Sequence, residues 1–119
     1  MKTLKILAAC ALLLIGGQSF AKQTTTPIVF AKGSDCSLFD GNVLGRNFTL
    51  NLNANQDLVI QVYAFKPVYP SVKDPKGKLL DNTGSEDFVY RTKAKGKYSV
   101  NFSAEDESYP YAEVKFCAY

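Results

Sequence analysis

The sequence contains no histidine and no tryptophan. Without histidine, serine–histidine and cysteine–histidine catalysis are excluded, as are metal sites that depend on imidazole ligands. Arginine is scarce as well, with only Arg46 and Arg91, and no segment carries apolar residues at helical spacing. We therefore expect a protein that is not an enzyme, contains no helical bundle, and needs neither a metal ion nor a cofactor.

An apolar run, "ILAACALLLIGG", follows a short lysine-containing start of the chain. It is too short to cross a bilayer, which takes about 20 apolar residues, and "SFA" supplies the small residues of a signal-peptidase site. We expect residues 1–21 to be a cleaved secretory signal peptide and residues 22–119 to form one small domain. The alternative, a lipidation site at Cys10, fits less well because the apolar run continues past this cysteine.

The charge and the cysteines of the mature chain both bear on its environment. Because Lys2 and Lys5 leave with the signal peptide, the formal net charge falls from +3 to +1, so basicity gives no argument for nucleic acid or a membrane surface as partner. Cys36 and Cys117 remain, and an isolated pair in an exported chain favours a disulfide. Such a link would remove about 4–5 kcal/mol of closure entropy from the unfolded state. It would also place the two chain ends side by side.

Apolar residues recur with the period of a β-strand. "NFTLNLNA" places Phe48 and Leu52 on one face and polar residues on the other. "DLVIQVYAF" follows after a turn at Asn55, and we predict that the two segments form a hairpin. Because Tyr63 and Phe65 lie opposite the aliphatic face of the second segment, we also expect that strand to be covered on both sides.

Further strands are indicated along the whole domain. The segments are "PIVFAKG", "CSLF", Lys78–Asp81, "FVYRT", "KYSVNFS" and "YAEVKFCAY". "KPVYPSV", with two prolines, is typical of a loop or an edge strand. About eight short strands separated by turn residues predict an all-β fold, a single antiparallel β-sandwich or barrel.

Charged residues cluster in the turns of the second half. Six lysines alternate with other residues there, which is typical of solvated strand faces and of charges that protect sheet edges. The alternative is a site for an anionic ligand. The lysines are Lys73, Lys76, Lys78, Lys93, Lys95 and Lys97.

The second half also resembles a known module. "DPKG", the apolar pair "LL" and the strand "GKYSV" occur here in the order typical of the bacterial pre-peptidase C-terminal domain. That family is an eight-stranded jelly-roll sandwich, so the resemblance implies the same fold for this chain.

Nearly the whole mature chain resembles the bacterial periplasmic inhibitors of g-type and i-type lysozymes. "VFAKGSDCSLFDGNVLGRNFTLNLNANQDLVIQVY" is similar to the start of the g-type inhibitors, in which a strand and Lys-Gly lead into an aromatic-serine-glycine loop. This chain has Asp40 in place of the serine, a departure that concerns the choice of target rather than the fold. The resemblance implies a periplasmic protein whose partner is a lysozyme or another peptidoglycan-cleaving enzyme.

In that family the serine-glycine loop is the element expected to enter the lysozyme cleft. An apolar tip and an arginine that pairs with a catalytic carboxylate would suit this role, since lysozymes work with two carboxylates. The residues alone fit a plain glycine turn equally well. Carried over, the inhibitory loop falls on Asp40, Gly41, Asn42, Val43, Leu44, Gly45 and Arg46.

Three tyrosines in proline-containing segments, Tyr69, Tyr109 and Tyr111, are candidates for the rim of the same interface, because aromatic loop residues often anchor partners. Ordinary packing against the neighbouring prolines is the alternative. Two other functions remain open: an immunity protein against a rival bacterium's wall-cleaving effector, and an envelope sandwich that binds carbohydrate or peptide. The last would favour a flat aromatic row on one sheet face, and the sequence gives no clear sign of one.

Overall fold

The computed structural model describes residues 23–119, and the predictions of a signal peptide over residues 1–21 and of the role of Cys10 lie outside this range. Eight strands make up the secondary structure of the described residues. They are β1 (Thr24–Pro27), β2 (Cys36–Asn42), β3 (Arg46–Leu52), β4 (Asp57–Ala64), β5 (Val68–Lys73), β6 (Phe88–Arg91), β7 (Gly96–Ala104) and β8 (Tyr111–Ala118).

The strands form two four-stranded sheets. Sheet A has the order β1-β3-β7-β5, and sheet B has the order β2-β8-β4-β6. Every pair is antiparallel except β1 and β3, which run parallel from Thr24 opposite Arg46 to Pro27 opposite Thr49. The prediction of an all-β sandwich of about eight strands is confirmed.

The core lies between the inner faces of the two sheets. Phe48 is fully buried at its centre, with the rings of Phe39, Phe102 and Phe116 at centroid distances of 4.9, 5.5 and 5.5 Å. Alternation along each strand explains this arrangement, since every second side chain turns inward. The most deeply buried side chains are Val43, Phe48, Leu50, Leu58, Ile60, Val72, Thr92, Tyr98, Val100, Val114 and Phe116.

The predicted disulfide is present. Cys36 and Cys117 lie opposite each other on β2 and β8 and are joined across a separation of 81 residues. The expectation that both chain ends lie beside it is wrong. The Tyr119 hydroxyl lies 3.7 Å from the Cys36 Sγ, but Thr24 donates its N–H to the Gly45 carbonyl at the opposite end of β2.

The predicted hairpin is also wrong, because β3 belongs to sheet A and β4 to sheet B. Asn55 does take the left-handed conformation, with φ of 62°, in the turn that connects them. The turn is closed by the buried Thr92, whose hydroxyl donates to the Asn53 carbonyl at 2.7 Å and accepts from the Gln56 N–H at 2.8 Å. The chain therefore arches from one sheet to the other instead of folding back within one.

Two of the predicted strands differ from the structure. The first strand ends at Pro27 and does not extend through "IVFAKG". Lys78–Asp81 makes only an isolated bridge, from Leu79 to Lys73, because the turn of Asp74 to Gly77 brings just one residue into register. The prediction of an edge segment around Pro70 is confirmed, since β5 is the outermost strand of sheet A.

The open side between β5 and β6 is closed by Tyr90. Its hydroxyl lies 3.4 Å from the Pro70 carbonyl oxygen, to which it donates from sheet B to sheet A. Burial raises the pKa of the Tyr90 phenol, so the neutral donor is retained.

Among residues 23–119, no helix is long and apolar enough to cross a membrane.

Candidate functional site

The predicted inhibitory loop is shorter than the sequence indicates. Asp40, Gly41 and Asn42 are the last residues of β2, and Arg46 is the first residue of β3. The connection between the two sheets is therefore the three-residue turn 43–45. This turn stands at one end of the sandwich, which we call the turn end.

The prediction of an apolar tip made by Val43 and Leu44 is wrong. Val43 has no exposed surface, and Leu44 is half-buried and packs against the core. The Val43 N–H donates to the Pro110 carbonyl at 2.9 Å, which fixes the turn against the segment before β8. Val43 closes the end of the core because a turn between two sheets must cross the gap that the core fills.

The turn keeps its shape through local hydrogen bonds. The Asn42 Oδ1 accepts the Leu44 N–H at 2.9 Å, an Asx turn. Gly45 has φ of 70°, in the left-handed region that glycine adopts without strain, and its carbonyl accepts the Thr24 N–H. The exposed surface here consists of Gly45 and part of Leu44 in the turn, together with Asn42 at the end of β2.

Arg46 braces the turn from within. Its Nε donates to the Asn42 carbonyl at 2.6 Å, and its Nη1 donates to the Thr26 Oγ1 at 3.1 Å. The guanidinium carbon lies 5.1 Å from the centre of the Phe39 ring, in a cation–π contact over the edge of the core. These contacts engage the same guanidinium groups that were expected to bind a carboxylate of the partner.

Asp40 lies on the outer face of sheet B and not at the tip of the turn. It is opposite Glu113 on β8, and Glu113 is opposite Tyr63 on β4. Two carboxylates and an aromatic side chain therefore occupy neighbouring cross-strand positions on this face. This arrangement makes the outer face of sheet B locally acidic.

The three predicted rim tyrosines do not lie on one surface. Tyr109 and Tyr111 are exposed at the turn end, where Asn42 is opposite Tyr111. Tyr69 is on β5, with its side chain on the outer face of sheet A. The structure thus brings Tyr109 and Tyr111 together with the turn and leaves Tyr69 on the other sheet.

Sequence reasoning missed the exposure of Tyr63 and Phe65. Tyr63 lies on the outer face of β4 and Phe65 directly follows the end of this strand. Their surfaces are 62% and 80% exposed, so the prediction that this face is covered is wrong. The Phe65 ring lies 5.2 Å from the Tyr109 ring, and the Lys66 Nζ lies 5.8 Å from the centres of both. Gln61 lies on the same face of β4 as Tyr63, and this polar residue indicated that the face is exposed to solvent. We call Tyr63, Phe65, Tyr109 and Tyr111 the aromatic patch.

The opposite end of the sandwich has a different character. It carries the disulfide and all six lysines of the alternating cluster. A cleft of about 320 Å³ lies there and has both acidic and basic walls, including Asp74, Asp81, Arg91 and Lys93. Over the described range, no three histidine, cysteine, aspartate or glutamate side chains are grouped so that they could hold a metal ion.

No protein-family model matches the sequence, and no curated protein matches it. Solved structures do match. The periplasmic inhibitor of g-type lysozyme from Aeromonas hydrophila, PliG, superimposes with a TM-score of 0.67 at 19% identity, over 82% of this chain and 98% of that chain. A mutant of the Escherichia coli PliG gives 0.63 at 13% identity, over 82% and 99% of the two chains.

The Salmonella Typhimurium PliG, also a periplasmic inhibitor of g-type lysozyme, gives a TM-score of 0.58 at 14% identity, over 81% of this chain and 98% of that chain. In each case the covered part of this chain corresponds in length to the single domain that the eight strands form. The chain thus has the fold of these three lysozyme inhibitors over almost their whole length.

Proposed function

We propose that the protein is an exported, periplasmic inhibitor that binds a lysozyme and occludes its active-site cleft. Residues 1–21 serve as the signal peptide, and residues 22–119 are the inhibitory domain. The protein has no catalytic step of its own and uses no cofactor. Its target is a muramidase of the g-type, the class named for the three similar structures.

One observation carries this proposal: the domain matches three g-type lysozyme inhibitors over 98% or 99% of their chains. The placement of the turn adds support. Turn 43–45, with Asp40 and Asn42 on the strand before it, lies at the same end of the sandwich as Tyr109 and Tyr111. A short turn with exposed residues Asn42 and Gly45, flanked by aromatic side chains, suits contact with a cleft.

The turn inhibits by filling space and by offering hydrogen bonds. Glycine at position 45 has no side chain, so the backbone of the tip can approach a cleft wall closely. The Asn42 side-chain amide has donors that remain available to a carboxylate, while its oxygen holds the turn. Arg46 contributes by fixing this shape through its bonds to Asn42 and Thr26.

Inhibition of purified lysozymes tests the proposal directly. The mature protein is titrated against c-, g- and i-type lysozymes acting on bacterial cell walls, and the concentration that halves the rate is measured. We expect inhibition of the g-type enzyme. If the protein inhibits none of the three classes, the proposal is wrong.

Two glycines offer a matched pair for locating the contact. Gly45 and Gly77 have φ of 70° and 85°, and a Cβ on either would meet nothing within 4 Å. Gly45→Ala and Gly77→Ala should each destabilise the domain by about 1 kcal/mol through backbone strain alone. Only Gly45→Ala should weaken inhibition, by at least about tenfold, because its methyl group stands at the tip. Equal effects on inhibition would place the contact elsewhere.

The same contact would serve an immunity protein that neutralises a rival bacterium's wall-cleaving effector. The position of the gene separates the two roles, since an immunity gene lies beside the gene for its effector. The likeness of the second half to the pre-peptidase C-terminal domain concerns the fold and adds no further activity to the proposal.

A further inference from the structure

The aromatic patch is a continuous exposed surface. Its four rings have between 43% and 80% of their surfaces exposed. Tyr63 lies on the outer face of β4 and Phe65 directly follows the end of this strand. Tyr111 lies on the neighbouring strand β8, and the ring of Tyr109 contacts Phe65. Single exposed aromatics are ordinary, but a contiguous group on a small domain marks an interaction surface.

The composition of the patch suits a protein partner. Tyrosine and phenylalanine bring large contact areas with few rotatable bonds, so little conformational entropy is lost when they are covered. The Lys66 ammonium lies over the rings of Phe65 and Tyr109, and this exposed side chain can keep these cation–π contacts or give them up when a partner covers the rings. The outer face of sheet A, in contrast, presents serine, threonine and asparagine side chains, and Tyr69 is its exposed aromatic.

The surroundings of the patch are acidic. Asp40 and Glu113 lie in the same cross-strand row as Tyr63, and the loop before Tyr109 contains three more carboxylates. The nearby cations are fewer, and Arg46 is already bonded within the protein. The carboxylates are Asp40, Glu105, Asp106, Glu107 and Glu113; the cations are Arg46, Lys66 and Lys115.

The patch is continuous with the turn. Pro110 stands between the patch residues Tyr109 and Tyr111, and its carbonyl accepts a hydrogen bond from the Val43 N–H. On the neighbouring strand, Asn42 lies opposite Tyr111. A partner large enough to receive the turn in a cleft would therefore also cover the patch. A partner bound to the patch alone would leave the turn beside its edge.

We propose that the aromatic patch is the principal binding surface for the lysozyme, and that the lysozyme surface facing it is basic with an apolar recess. This inference rests on the proposed function and assigns the larger share of affinity to the face of sheet B, with the turn as the blocking element. The acidic surroundings favour a cationic protein surface over peptidoglycan fragments, whose own carboxylates would be repelled. Asp40 then belongs to an acidic rim around the patch, formed by Asp40, Glu105, Asp106, Glu107 and Glu113.

A double variant tests the patch. Tyr63→Ser combined with Phe65→Ser removes two exposed rings, and Leu79→Ser removes an exposed apolar side chain at the opposite end as the matched control. We expect the double variant to need at least about tenfold more protein for half-inhibition of g-type lysozyme. Leu79→Ser should leave inhibition unchanged, and thermal unfolding should confirm that all variants are folded.

The acidic rim has its own test. Inhibition should weaken as sodium chloride is raised, because salt screens exposed charges. Asp40→Asn combined with Glu113→Gln should flatten this salt dependence, whereas Asp81→Asn, in the cleft at the opposite end of the sandwich, should leave it unchanged. A salt dependence identical in the rim variant and the wild type would contradict the assigned charge complementarity.

The outcomes separate the two proposals. If the wild type and the Tyr63/Phe65 variant inhibit equally while Gly45→Ala inhibits poorly, the protein is an inhibitor and the patch is not its main surface. If the wild type inhibits no lysozyme, the proposed function fails and this inference fails with it. Shifts of the patch resonances in NMR spectra on addition of soluble peptidoglycan fragments, with none on addition of lysozyme, would assign the patch to a saccharide.

Discussion

The two ends of the sandwich are ordered by different means. At the turn end, turn 43–45 is held by hydrogen bonds of Asn42 and Arg46 and by burial of Val43. At the opposite end, Cys36 and Cys117 are joined covalently. The end proposed to meet a partner therefore depends on weak contacts, each of which a single substitution removes.

The ends also differ in charge and exposure. The turn end presents aromatic rings with an excess of nearby carboxylates, while the opposite end carries six lysines. With opposite signs at the two ends, a basic partner would be drawn toward the patch and away from the lysines before contact. The lysines then keep the free end solvated in the complex.

Loss of the disulfide should have the largest effect on stability. Cys36→Ser with Cys117→Ser should lower the free energy of unfolding by about 4–5 kcal/mol, because the link closes a loop of 81 residues. Denaturant unfolding of the variant and of the oxidised wild type measures the difference. For protein kept folded at low temperature, inhibition should be unchanged, since the link is remote from the turn end. Weaker inhibition by fully folded variant would show that the two ends are coupled.

The alternation of apolar residues predicted most of the fold. It identified the inward faces of β3, β7 and β8, and the cysteine pair and Asn55 were assigned as the structure has them. It could not identify the neighbours of a strand. An apolar face on β3 and another on β4 are compatible both with a hairpin and with an arch between two sheets. The long-range pairing of β3 with β7 and of β4 with β8 decides between these arrangements.

The candidate site was predictable only in part. Glycine spacing and the resemblance to lysozyme inhibitors pointed to residues 40–46, and the structure places a turn within that range. The burial of Val43 could not be foreseen, because a valine between two glycines looks the same whether it faces solvent or closes the core. The exposure of Tyr63 and Phe65 was hidden by a similar ambiguity, since aromatic residues occur on covered and on partner-binding faces alike.

Val43 and Leu79 provide a second comparison of the ends. Each is an apolar residue in an irregular segment, but Val43 has no exposed surface and Leu79 is 59% exposed. Val43→Ala should lower the free energy of unfolding by about 2 kcal/mol through lost burial and a residual cavity. Leu79→Ala should change it by less than about 0.5 kcal/mol. Urea denaturation of both variants checks this, and similar losses would mean that Val43 does not close the core.

The two arginines provide the smallest and most specific contrast. Arg46 donates to the Asn42 carbonyl and to Thr26 and lies over Phe39, whereas Arg91 makes an exposed ion pair with Asp57 at 3.2 Å. Arg46→Ala should destabilise the domain by about 1–2 kcal/mol, and Arg91→Ala by about 0.5 kcal/mol or less, because solvent screens the exposed pair. Denaturation midpoints measure both losses.

Arg46→Lys completes this test. A lysine ammonium cannot occupy the positions of two guanidinium nitrogens at once, so Arg46→Lys should recover only part of the lost stability. Inhibition should fall in proportion to the loosening of the turn. If Arg46→Ala instead abolished inhibition at unchanged stability, the guanidinium would have to leave its internal acceptors and bind a carboxylate of the lysozyme. The turn would then act through charge, and the aromatic patch would be secondary to it.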